Sequence, residues 1–266
     1  RQYDWHIKAE WIVWTPGVVP AFNVACKAVC EPGDKVLIQS PNYPPLIAAP
    51  KLNHLIKVDI GTVEEAGRWT LDFAELEKQA ADPLCKLLVL CNPMNPVGTV
   101  LSQAELQRVA DICIQHNVLL CSDEIHCDLI LDEDAKHIPA GKLAQFKGQV
   151  ITLMAASKTF NIAGLGTSFA IIEDAKLRQQ FSAAAQGIMP WANVLGLSAT
   201  EAAFTLCDDW HQQLLSYLRI NRDYLMSEIA QLDGLRMLAP QATFLAWIDG
   251  SGLGVDSVQK YFEDKG

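Results

Sequence analysis

Five short apolar runs constrain this chain more than any other feature: Lys35–Ser40, Lys86–Cys91, Val118–Ser122, Val150–Met154 and Ser168–Ile172. Each has strand length, and most are bounded by Gly, Pro, Asn or Asp. Their apolar residues are continuous rather than alternating, as in strands covered on both faces. Between them lie segments with helical patterning, at 18–30, 72–80, 102–116 and 175–187. Asp72 with Glu75, and Ser102 with Glu105, have capping-box spacing. Pro20 falls in a first helical turn, where proline is tolerated. Strands alternating with helices predict an α/β fold: a mostly parallel sheet between two helical layers.

The remaining segments are read less sharply. Residues 1–14 are rich in tryptophan and read as a helix end and a short strand. A helical piece at 45–52 leads to a strand at 55–59 and a polar loop at 61–68. Residues 190–233 read as mostly helical, with one long helix from about Asp208. Strands are expected at 235–238 and 243–248, and a helix at 255–263. This change of pattern divides the chain into a large domain at 13–215 and part of a small α+β domain at 216–266. Residues 1–12 read as the remnant of an N-terminal segment, and the abrupt start and stop read as a fragment of a longer polypeptide.

The net charge is −10, with no basic block, so nucleic acid is not an expected partner. No apolar run approaches the length that spans a bilayer, so a membrane is not expected either. Several of the eight cysteines sit inside apolar runs, which suits free thiols in a reducing cytoplasm. Cys26 and Cys30 have helical spacing but no second pair, which argues against zinc.

In sheets of this kind, ligands bind outside the carboxyl ends of the strands. Those ends deliver Tyr43, Asn92 and Asn95, Asp123 and His126, and Lys158. Taken singly, each has an ordinary account: a packed ring, a turn, a cap, a core histidine, a surface lysine. Together they bring a ring, an amide, a carboxylate, an imidazole and an amine to one edge. Lys158 follows the apolar run 150–154 and the small residues Ala155, Ala156 and Ser157. A lysine so placed can reach a cavity and act as a partly desolvated amine. Thr15-Pro16-Gly17-Val18-Val19 opens a helix, and a helix N-terminus suits a phosphate. These are the parts needed to hold pyridoxal phosphate. A metal cluster of Asp123, Glu124, His126 and Asp128 is disfavoured, because side chains on a strand alternate between faces. Gly164-Leu165-Gly166 is a fragment of a dinucleotide motif after the wrong kind of element.

Asn95-Pro96-Val97-Gly98, Ser122-Asp123-Glu124-Ile125-His126 and Ser157-Lys158-Thr159-Phe160-Asn161-Ile162-Ala163-Gly164-Leu165 occur in order along nearly the whole chain. In these the sequence resembles fold-type I pyridoxal-phosphate enzymes of the class I/II aminotransferase superfamily. The resemblance implies pyridoxal 5'-phosphate as cofactor and a catalytic set of Lys158, Asp123 and Tyr43. Lys158 would carry the cofactor and shuttle the proton. Asp123 would pair with the ring nitrogen, Asn95 with the phenolic oxygen, and Tyr43 with the ring face. Gly17, Val18, Val19 and Ser157 would meet the phosphate, and at least one Asn-Pro bond would be cis.

Three departures mark a branch. Gly166 stands where an arginine is usual, Ala155 where serine or threonine is usual, and His126 where many members have tyrosine. With Thr15–Ala21 and Asp123–Asp128, these resemble the cystathionine β-lyase, or C–S lyase, branch. His126 would then also serve the phenolic oxygen. The implied reaction is β-elimination from cystathionine or a related cysteine conjugate, the implied substrate a small sulfur amino acid, the implied assembly a homodimer. The alternatives are an aminotransferase, or a regulatory protein that retains the cofactor fold. The arginine for the substrate carboxylate is expected beyond residue 266.

Overall fold

The computed structural model describes residues 3–146 and 148–266, so the first two residues of the expected N-terminal remnant lie outside the described residues. A 3-10 turn at Ala9–Trp11 leads into β1 (Ile12–Thr15) and α1 (Val18–Val29). Then come β2 (Lys35–Ser40), α2 (Pro44–Leu52), β3 (Ile56–Glu65), β4 (Arg68–Leu71), α3 (Phe73–Ala80) and β5 (Cys85–Cys91). These are followed by α4 (Gln103–Gln115), β6 (Leu119–Asp123), β7 (Val150–Met154), β8 (Ser168–Ile171) and α5 (Ala175–Ala185). The chain continues with α6 (Val194–Leu206), α7 (Asp208–Ile229), β9 (Arg236–Met237), β10 (Ile248–Asp249) and α8 (Val258–Glu263).

The main sheet has the order β1-β8-β7-β6-β5-β2-β3-β4. Its centre, from β7 to β3, is parallel. β8, β1 and β4 join by antiparallel pairing. From β2 the chain steps outward to β3, then returns past β2 to β5. The order therefore reverses between β2 and β5, and the loops leaving those strands diverge to open a crevice.

Both faces of the sheet are covered, which explains the continuous apolar runs. Val36, Ile38, Leu87, Val89 and Cys121 pack with α1, α2 and α5 through Phe22, Cys26, Leu46 and Phe181. Their neighbours Leu37, Leu88, Leu90 and Leu120 pack on the other side with α3 and α4, through Leu76, Leu106 and Val109. Burying each such side chain contributes about 1.5–3 kcal/mol. Both capping residues act as expected: Asp72 accepts from the Glu75 N–H, and Ser102 with Glu105 forms a complete capping box.

The polar loop expected at 61–68 is instead a hairpin. β3 runs to Glu65 and pairs with β4, and the turn places Ala66 at φ 51° and Gly67 at φ 75°. Its residues read as a loop because most of β3 faces solvent. Glu105 of the α4 capping box accepts from Arg68 and Thr70, each at 2.6 Å, and so anchors the hairpin. The helical stretch expected at 190–233 starts only at Val194, after Gly187 at φ 78° and Pro190. α7 runs unbroken through residue 215, where the division between domains was expected.

The strand expected at 243–248 is reduced to Ile248–Asp249, paired with Arg236–Met237. The intervening chain is a strap laid across the strand ends. Leu131 N–H donates to Gln241 O at 2.8 Å, Ala242 N–H to Gly98 O at 2.9 Å, and Thr243 N–H to Leu129 O at 2.8 Å. Thr243 is fully buried, at φ 74°. Gly98 sits at φ +73°, and a Cβ there would lie 2.4 Å from Pro240 Cβ and 2.9 Å from Ala242 O. Gly98→Ala should therefore lower stability by about 3 kcal/mol, read from the midpoint of urea unfolding, through strain and displacement of the strap. An unchanged midpoint would mean that the strap is not seated there. Among the described residues, no helix is long and apolar enough to cross a membrane.

Candidate active site

A cavity of about 370 Å³ lies at the carboxyl ends of β2, β5, β6 and β7. α1 supplies one wall, from Pro16 to Pro20. Gly17 is the N-cap of this 12-residue helix and makes no side-chain cap, so the first N–H groups keep their donors for another partner. The turn after β2 brings Tyr43, 40% exposed, to the N-cap of α2. Asn95 arrives from β5, Asp123 and His126 from β6, Ser157 and Lys158 from β7. All nine residues named for the site from sequence thus line one cavity: Gly17, Val18, Val19, Tyr43, Asn95, Asp123, His126, Ser157 and Lys158.

Asn92 does not line it. It is buried as a brace, its side chain accepting from Leu101 N–H at 3.0 Å and its own N–H donating to Asp123 O at 2.9 Å. The Ser40–Pro41, Asn92–Pro93 and Asn95–Pro96 bonds are all cis, in the turns leaving β2 and β5.

Asp123 is 5% exposed and accepts from the Ile125 N–H at 3.1 Å. Burial pushes its carboxyl up to about 7. The Ile125 N–H pulls down, the neighbouring Glu124 pushes further up, and the Lys158 amine pulls down. Without a further opposite charge, Asp123 is only partly ionised at neutral pH. His126 is 2% exposed, and burial, helped by Lys158, pulls its imidazole down to about 4, so it is neutral. Its Nδ1 has no hydrogen-bond partner, and its ring meets Phe244 edge-on at 5.8 Å. Lys158 is half-buried.

Residues 1–265 match the family Aminotransferase class I and II. The chain belongs to that family. Cystathionine beta-lyase PatB of Bacillus subtilis is 35% identical over 262 residues, covering 97% of this chain and 67% of that protein. The crystal structure of OvoB superposes with a TM-score of 0.95 at 41% identity, over 99% of this chain and 69% of that one. Cystalysin from Treponema denticola, whose crystal structure contains pyridoxal 5'-phosphate, gives a TM-score of 0.92 at 34% identity, over 99% and 67%. The chain thus spans about two thirds of the length of these relatives.

Within this aminotransferase-family site, Gly166 has a structural reason. It lies at φ +54°, and a Cβ there would be 3.3 Å from Pro16 O, just ahead of the α1 N-terminus. An arginine would strain the backbone of a turn that packs against the one opening α1. Ala155 is buried against the α1 side of the sheet. Among the described residues, no cluster has the makings of a metal site.

Sequence reasoning did not name several of the other residues that line the cavity, among them Phe22, Cys91, Thr167, Phe244 and Leu245. Cys91 was legible as the last residue of a strand next to the Asn-Pro turns. Phe244 and Leu245 were not, because a strap held by single backbone bonds has no periodicity. A larger open groove of about 600 Å³ lies at the start of β7, beside Trp5, Gly141 and Val150, and holds none of these strand-end groups.

Proposed function

We propose that this family member is a pyridoxal-phosphate-dependent carbon–sulfur lyase. It would split cystathionine or a related cysteine conjugate by β-elimination into thiol, pyruvate and ammonia. The observation that carries this is one cavity lined by Lys158, the buried Asp123 carboxyl and the neutral His126 ring, at a helix N-terminus with free N–H groups. The name of PatB and the cofactor in cystalysin support the same reading.

The residues fit the cofactor group by group. Asp123 lacks the opposite charge that would keep it ionised at neutral pH, and a protonated ring nitrogen is such a charge. The His126 ring and the half-buried Asn95 amide suit the phenolic oxygen. The N–H groups that open α1, with Ser157, suit the phosphate. Tyr43 suits the ring face. When bound, pyridoxal phosphate supplies an electron sink for the pair left at the substrate's Cα once its proton has gone. Lys158 holds the cofactor and carries that proton on Nζ. Asp123 holds the proton on the ring nitrogen by staying anionic. His126, being neutral, can hydrogen-bond without adding positive charge beside Lys158. Phe244 and Leu245 add apolar surface to one wall of the cavity. Residues 13–215 would hold the cofactor, and residues 216–266 would supply the strap and part of a small domain.

The test is turnover by the full-length protein with cystathionine and no keto acid. Pyruvate, ammonia and free thiol should appear in equal amounts over many turnovers. Turnover that needs an added keto acid and forms a new amino acid would make it an aminotransferase instead. Cofactor uptake with no turnover of any amino acid would favour a regulatory protein. The proposal includes a cytoplasmic homodimer. Eight free cysteines, seven of them buried, suit a reducing compartment. Trp191 at 97% and Leu206 at 80% exposure suit a face that is covered in the assembly. Sedimentation of active full-length protein as a monomer would refute the dimer.

A further inference from the structure

Glu124 has no part in the chemistry above, yet it is placed with unusual care. Its side chain and that of His137 are both 0% exposed, with Nε2 and Oε2 2.7 Å apart. Ser122 Oγ and the Ala140 N–H each donate to Oε1 at 2.8 Å. The Glu124 N–H donates to Leu153 O of β7 at 2.9 Å, and its carbonyl accepts from Cys127 N–H at 3.0 Å. One residue thus ties together the end of β6, the end of β7 and the segment at 137–140.

The neighbours of Glu124 are the residues that matter. Side chains alternate at a strand end, so Ser122 and Glu124 face one side and Asp123 faces the cavity on the other. The turn that starts at Glu124 closes with Leu129 N–H on His126 O at 2.9 Å and carries His126 into the same cavity. Tyr3 packs its ring edge-on against His137 at 5.5 Å and donates its hydroxyl to Asp128 of that turn, which ties the turn to the pair a second time. A carboxyl buried this deeply is costly unless its oxygens are partnered. Apolar side chains of similar volume often fill such a place as stably. A carboxyl with both oxygens partnered, as here, supplies instead one fixed arrangement of the groups it joins.

We propose that Glu124, clamped by His137, Ser122 and the Ala140 N–H, is a positioning residue that fixes the 124–129 turn so that Asp123 and His126 both face the cofactor cavity. The inference rests on the reading of that cavity given above. Glu124→Leu keeps bulk and removes all three bonds. Glu124→Gln keeps them: its carbonyl can accept from Ser122 and Ala140, and its amide can donate to His137 Nε2 once that ring carries its proton on Nδ1.

Amide hydrogen exchange of the full chain without cofactor is the first measurement, with visible-absorbance titration by pyridoxal phosphate as the second. In Glu124→Leu, peptides covering 123–129 should exchange about tenfold faster while those from β2 do not change. Affinity for pyridoxal phosphate should fall about tenfold, and Glu124→Gln should restore both readouts to within about threefold. If Glu124→Leu does not fold, Ser122→Ala removes a single donor and should raise exchange in the same 123–129 peptides by a smaller factor. Faster exchange confined to 137–140, or no rescue by glutamine, would overturn the proposal. Failure of the unaltered chain to take up pyridoxal phosphate would refute the cofactor reading, while the exchange comparison would still decide the role of Glu124.

Discussion

Lys158→Ala reduces kcat by about 10³-fold or more, because a positioned base and the cofactor's covalent anchor are lost together. Among the described residues, Lys158 is the one lysine that lines the cavity. It lies close enough to Asp123 and His126 to bear on the protons of both. It sits on a turn outside the two apolar cores, half-buried, so alanine leaves the packing beneath it intact. The variant should keep its melting temperature and lose its chemistry. Lys158→Arg separates two accounts of that loss. It keeps the positive charge but not the nucleophile, so it should be as inactive as alanine. Borohydride reduction in the presence of pyridoxal phosphate, followed by peptide mapping, should label Lys158 in the unaltered protein and leave both variants unlabelled. A label on the exposed Lys27 or on Lys86 would remove Lys158 from this role.

Asp123→Asn should cut kcat by about 10² to 10⁴, the range spanned by a single well-placed proton-handling group. Asparagine keeps an oxygen for the Ile125 N–H, so the local geometry survives. It loses the charge that holds a proton on the ring nitrogen. Stability should move the other way. Burial raises the Asp123 carboxyl from the ordinary 3.8 to about 7 in the folded chain. Between those values the folded state binds a proton that the unfolded state has released, so stability falls as pH rises through that window. Above it the full cost of burying the charge is present. Cofactor-free Asp123→Asn should therefore melt higher than the unaltered protein at pH 8, with the difference shrinking toward pH 5. Near-normal turnover in this variant would take Asp123 out of the mechanism. An equal melting difference at both pH values would show that its carboxyl is not held up by burial.

The parts of the site that were legible in the sequence share one cause. Tyr43, Asn95, Asp123 and Lys158 follow runs such as Lys86–Cys91, whose continuous apolar character fixes a strand and its end. In a parallel sheet, a strand end is already an address. The β3 end of the hairpin reads as a loop because residues 61–65 mostly face water, and an edge segment of that kind has no apolar pattern to betray it. Phe244 and Leu245 were hidden for a different reason. Their place depends on backbone bonds from Ala242 to Gly98 and from Thr243 to Leu129, partners more than a hundred positions away in sequence. The Glu124–His137 pair was half visible: an acid next to Asp123 could be seen, but not the buried base that meets it.

The strap also sets an order of events as the chain is made. Lys158, Asp123 and the start of α1 are all synthesised before residue 240. One wall of the cavity comes from residues 244 and 245 and is held by bonds that reach back to Gly98 and Leu129. A growing chain emerging N-terminus first thus lacks this wall of the cleft through much of its synthesis, and gains it only when the strap threads home. Among the described residues, the strap is the latest part of the chain to reach this cavity, and the entropy of bringing those distant residues together falls on that step.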